Sequence, residues 1–265
     1  MRNRIEPILY ERTALEMAIN LHSPFSRRAT AMPKDTLAIL HAMRAMHCWE
    51  LFPYSVHSLL IDAKIPPDDC LRALQICTGT RRLSCPSLHD AYRPKAFASI
   101  IAMKDLEELS IEVSNFLEFA DLLPSSNHFP LLTRLDVRFS TSAGVSAASP
   151  AFLFDKFPNL THLSLRPKKR LFEKWVLGDT ESSVAQLAGV VEACGPQIQM
   201  LVIGAPDGYR AVDESLHVGT DAASKVTGVP IVVVYDCPWW ESGWKVGQDT
   251  VWSVAAAKMV NPTRD

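Results

Sequence analysis

The sequence has no excess of charge of either sign: 27 Lys+Arg face 29 Asp+Glu in 265 residues, a net charge of −2. Without a surplus there is no long-range attraction toward nucleic acid or an anionic membrane, and neither is expected as a partner. Long apolar runs are missing too. The longest, such as Ile231 to Tyr235, fall far short of the roughly 20 residues that cross a bilayer as a helix. Arg2 and Arg4 are not followed by the apolar stretch of a secretory signal. The six cysteines (Cys48, Cys70, Cys77, Cys85, Cys194, Cys237) are too sparse for a disulfide scaffold, and none stand as Cys-x-x-Cys. His41, His47 and Cys48 lack the paired short spacings of a zinc site. The cysteines therefore read as small apolar core residues of a cytoplasmic or nuclear protein.

Catalytic signatures are equally scarce. Gly144-Val145-Ser146-Ala147-Ala148 lacks the second glycine of a hydrolase elbow. Gly204-Ala205-Pro206-Asp207-Gly208 places a proline between only two glycines and reads as a turn, not a phosphate cradle. Eight histidines include no His-x-x-x-His pair. The expectation is a protein that is not an enzyme and carries no metal or cofactor.

What is present is a repeat. Phe129-Pro130-x-Leu132-Thr133-x-Leu135-x-Val137 returns 28 residues later as Phe157-Pro158-x-Leu160-Thr161-x-Leu163-x-Leu165. The same aliphatic spacing recurs at Val56-x-x-Leu59-x-Ile61, Leu106-x-x-Leu109-x-Ile111 and Ile198-x-x-Leu201-x-Ile203, with a degenerate copy at Leu83-x-Cys85 and a last strand at Ile231 to Tyr235. Markers at 59, 83, 109, 135, 163 and 201 are separated by 24, 26, 26, 28 and 38 residues, so the last interval implies an insertion. The first four steps suit a leucine-rich repeat. In each copy the last two aliphatics share one side of a short strand, and only stacking of neighbours hides them from water.

The segments between strands supply the return path. Pro67 to Leu74 reads as a helix stopped by Thr78-Gly79, Phe116 to Leu123 as a second ended by Pro124, and Ser182 to Cys194 as a third finished by Gly195-Pro196. Residues 33–50 read as a helix, Ser140 to Pro150 as a loop, and 204–230 as a weakly patterned insertion. The fold expected is α/β: an irregular leucine-rich-repeat solenoid with a curved parallel sheet. Residues 1–50 form an N-terminal strand and helical cap, and 51–265 the repeat domain.

Pro7-Ile8-Leu9-Tyr10-Glu11, Val56-His57-Ser58-Leu59-Leu60-Ile61 and Leu74-x-x-Cys77-Thr78-Gly79-x-x-x-Leu83 resemble the leucine-rich-repeat proteins associated with F-boxes in mushroom-forming fungi. The tail is similar too: Ile231 to Tyr235, Trp244, then Asp249-x-x-Trp252 followed by a short helix. The resemblance covers roughly residues 5–258, and its motifs are short. It implies the substrate-receptor part of a ubiquitin ligase subunit. The F-box itself is not seen, since only nine residues precede Tyr10. A cullin-ligase adaptor is thus expected as a partner only if an F-box lies upstream. Otherwise the chain is a stand-alone scaffold, or, in a different class, a hydrolase with an unpatterned site.

Outward residues of the stacked strands form rungs on the concave face, the candidate protein-binding site. These are Glu108, Arg134 and His162, then Ser110, Asp136 and Ser164, then Glu112, Arg138 and Arg166. Their alternating signs serve either recognition or cross-strand ion pairs. Leu60, Met200 and Val202 point the same way and are apolar, which implies a partner or a covering segment. Arg166-Pro167-Lys168-Lys169-Arg170 reads as a solvated loop leaving a strand. Trp239, Trp240, Trp244 and Trp252 read as a Trp-rich cap over the terminal repeat. Asn159-Leu160-Thr161 matches a glycosylation sequon but lies in the core pattern.

Overall fold

The computed structural model describes residues 57–61, 67–85, 93–113, 129–139, 157–167, 169–176, 180–206, 218–235 and 251–260. Expected features at residues 1–50, 114–128 and 140–150, and at Trp239, Trp240 and Trp244, lie outside them. The chain forms two compact units, 1–107 and 108–265, each an α/β arrangement with parallel strand pairing.

In the first unit, β1 (Ser58–Leu60) pairs with β2 (Arg82–Cys85), Leu59 opposite Leu83. Helix α1 (Pro67–Ile76) lies between them in the chain, and α2 (Arg93–Ile101) follows β2. Proline opens α1, the position where its missing N–H costs nothing. The helix stops where Thr78-Gly79 predicts, with the Thr80 hydroxyl donating to the Cys77 carbonyl at 2.8 Å. Leu74, Leu83, Cys85, Phe97, Ile100, Met103 and Leu106 are buried as this unit's core. The short α2 was not apparent from the sequence.

The second unit has five strands in chain order: β3 (Glu108–Val113), β4 (Arg134–Phe139), β5 (His162–Pro167), β6 (Met200–Gly204) and β7 (Ile231–Val234). Leu109, Leu135, Leu163 and Leu201 are successive partners across the parallel ladder, and Ile111, Val137, Leu165 and Ile203 form the next row. All eight are buried. The 28-residue repeat is visible in the bends before β4 and β5. Phe129 and Phe157 stack with ring centroids 6.1 Å apart, and Thr161 Oγ1 donates to the Thr133 carbonyl at 3.0 Å. Both bends close with an i to i+3 backbone bond, Leu132 to Phe129 and Leu160 to Phe157.

Two expectations need correction. The long interval between Leu163 and Leu201 is no loose insertion, for α3 (Lys169–Val176) and α4 (Thr180–Cys194) occupy it. Nor is 204–230 unpatterned: β6 runs to Gly204, and α5 (Val218–Thr227) packs on α4 before β7. Gly219 makes that approach possible, because a side chain there would meet the Ser183 Cβ at 3.4 Å. Gly195 and Gly228 end α4 and α5 at φ of 79° and 71°, a conformation that favours glycine.

A ten-residue helix, α6 (Val251–Val260), completes the described chain. It buries Val251, Trp252 and Ala255 in a cluster with Met200, Val202 and Val234. Met200 and Val202 belong to the face opposite the leucine rows, so α6 lies on the same side of the sheet as the charged rungs. The expected cap over the terminal repeat is therefore wrong for Trp252, which covers a sheet face instead.

Candidate recognition face

Register in β3, β4 and β5 places the nine expected residues in three rows: Glu108–Arg134–His162, Ser110–Asp136–Ser164 and Glu112–Arg138–Arg166. Side chains alternate along each strand, so these rows face away from the buried leucines. The rows differ sharply in what they expose.

The middle row is buried. Ser110 Oγ donates to Asp136 Oδ2 at 2.8 Å, and Arg166 Nε donates to Asp136 Oδ1 at the same distance. This is the strongest ion pair of the face, because both partners are nearly shielded from water and the hydrogen bond is direct. Ser164 is fully buried beside them, and its hydroxyl has no hydrogen-bond partner. These three side chains are not available to a ligand as the face stands.

The outer rows are more open. Glu108 and Arg134 approach to 3.8 Å and Glu112 and Arg138 to 3.9 Å, with Arg134 and the Glu112–Arg138 pair well solvated. Such pairs contribute about 0–1 kcal/mol each. Arg166 belongs to β5 and bonds to Asp136, while Lys169 and Arg170 open α3, so the basic run is not the loop expected. Gly204, next across the sheet, leaves room for the Arg166 stem: a Cβ there would stand 2.9 Å from Arg166 Cγ.

The first row carries a contact that the sequence did not reveal. Trp252 of α6 donates its indole N–H to Glu108 Oε1 at 2.9 Å and meets the His162 ring edge-on, centroids 5.7 Å apart. His162 Nδ1 also lies 2.8 Å from Thr161 Oγ1. Burial, and then the charge of Arg134, push the His162 pKa below its ordinary value. Beyond His162 the row becomes apolar at Met200, and the middle row does so at Val202, both buried with α6. One signal for this cover was present: Met200 to Ile203 and Ile231 to Tyr235 are continuous apolar runs, which mark strands buried on both faces.

Thiol chemistry is not favoured. Burial pushes Cys77 and Cys194 up to about 12, and Cys85 is raised by its hydrogen bond with Cys70 and by burial. Among the described residues no group of three or more His, Cys, Asp or Glu is placed to hold a metal ion. No described helix is long and apolar enough to cross a membrane.

Fold and face together define an α/β protein whose parallel strands carry a charged, partly covered ladder. No protein-family model matches the chain, and no curated protein matches it.

Proposed function

We propose that the chain is a leucine-rich-repeat solenoid that recognises another protein, without catalysis, through the outer rows of the ladder. The observation that carries this reading is the register. Three Glu/Arg and Asp/Arg pairs stand on one side of strands whose other side is a continuous leucine core. The three acids and three arginines balance, which suits a protein surface of mixed charge better than a polyanion. Arg134, Glu112 and Arg138 supply its most solvated groups.

The test separates recognition from internal pairing. Arg138→Glu should abolish capture of a partner and lower the melting temperature by no more than a few degrees. The reversed pair, Glu112→Arg with Arg138→Glu, restores the ion pair within the chain but presents inverted charges. Partner capture should stay lost in that double variant. Capture unchanged by Arg138→Glu, or recovered in full by the reversed pair, would remove these residues from the surface.

Within this reading, the substrate-receptor role in a ubiquitin ligase is supported by the resemblance at Val56 to Ile61 and Leu74 to Leu83. It requires the adaptor of a cullin ligase to co-purify with a longer form of the protein that carries an F-box. Recovery of other partners alone favours a stand-alone scaffold.

A further inference from the structure

The ladder face is already occupied by a segment of its own chain. Only Val251, Trp252 and Ala255 of α6 are buried, while Met259 and Val260 at its far end are exposed by 44% and 77%. Its anchor is polar: the Trp252 indole N–H on Glu108, with the ring set against His162. Those same two residues belong to the row that the proposed recognition uses. Underneath, the match is imperfect. Ser164, between Asp136 and the α6-covered Val202, is sealed from water with no partner for its hydroxyl. An isolated helix of ten residues is unstable in water, so α6 is held by this docking and by little else.

We infer that α6 is a displaceable occupant of the ladder face, and that the partner is a protein helix presenting Val-Trp-x-x-Ala or its close equivalent. The partner's indole replaces Trp252 between Glu108 and His162, and its small apolar residues cover Met200, Val202 and Val234. This inference rests on the recognition reading and names its partner chemistry. The covalent connection lets α6 compete at an effective concentration of about millimolar, so the free face is rare until a partner arrives.

Two measurements on the full chain test this. Amide hydrogen exchange should open residues 251–260 at least about 100-fold more readily than β4 and β5, through local rather than global unfolding. Equal protection of helix and strands would overturn the inference. Next, a fluorescent peptide spanning residues 249–262 should bind the Trp252→Ala chain about tenfold or more tightly than wild type. Binding should vanish when the peptide's own tryptophan is alanine, and when the chain also carries Glu108→Ala. Trp252→Phe, which keeps the ring but loses the N–H donor, should give intermediate affinity and serves if the alanine variant does not fold. A peptide that binds none of these chains, or binds without its tryptophan, sinks the displacement model. The recognition reading would then still stand or fall on Arg138.

Discussion

Ser164 and His162 sit on one strand two positions apart, and each is held in a state that its chemistry disfavours. A buried hydroxyl without a partner costs about 1–3 kcal/mol relative to water. Ser164→Ala removes that cost, takes away no hydrogen bond, and should make the protein about 1 kcal/mol more stable in urea unfolding. A loss of stability instead would reveal a partner for that hydroxyl. His162 works through protons. Its pKa in the folded chain is lowered from 6.5, by burial first and the Arg134 charge second. As pH falls, the unfolded chain therefore takes up the proton before the folded one. The stabilising contribution is complete above 6.5 and is lost progressively as pH drops from there toward the folded value. Unfolding free energies between pH 7.5 and 5.5 should show this loss in wild type and a shallower slope in His162→Gln. Identical slopes would mean that the ring feels neither burial nor Arg134.

At the scale of elements, the bend before each strand is the repeating part most directly open to measurement. Phe129 and Phe157 are fully buried and their rings lie nearly parallel, at 10°. If one repeat supports the next through this stack, the two positions must be energetically coupled. A double-mutant cycle with Phe129→Leu and Phe157→Leu should give a coupling of about 0.5–1.5 kcal/mol. Additive effects would mean that each ring stabilises only its own repeat. These bends were legible because the repeat preserves Phe-Pro-x-Leu-Thr at one offset, and β3 to β5 because apolar and polar side chains alternate. Helix α5 was not legible. Its sequence, VGTDAASKVT, contains a glycine and two threonines of low intrinsic propensity. Packing against α4, which one sequence window does not contain, decides its conformation. The cover by α6 escaped for the same reason. Continuous apolar runs in β6 and β7 announce burial on both faces but do not say which of several apolar segments supplies it.

Across the whole molecule, the candidate site was read through its outward residues, while their accessibility was not. Alternation assigns Ser110, Asp136 and Ser164 to the ladder, yet their burial depends on Arg166 folding over Asp136 and on chain from beyond residue 250. The two units invite one further measurement. Cys77 belongs to the first and Cys194 to the second, and burial pushes both thiols up to about 12, so each reacts only when its surroundings open. Repeat architectures transmit stability chiefly between neighbours. Leu74→Ala, in the first unit's core, should therefore speed alkylation of Cys77 about tenfold or more beyond its effect on Cys194. Leu163→Ala in the second should do the reverse. Peptide-resolved mass spectrometry distinguishes these sites from the other cysteines. If either substitution accelerates both thiols equally, the chain opens as one cooperative body and the nearest-neighbour account of its stability fails.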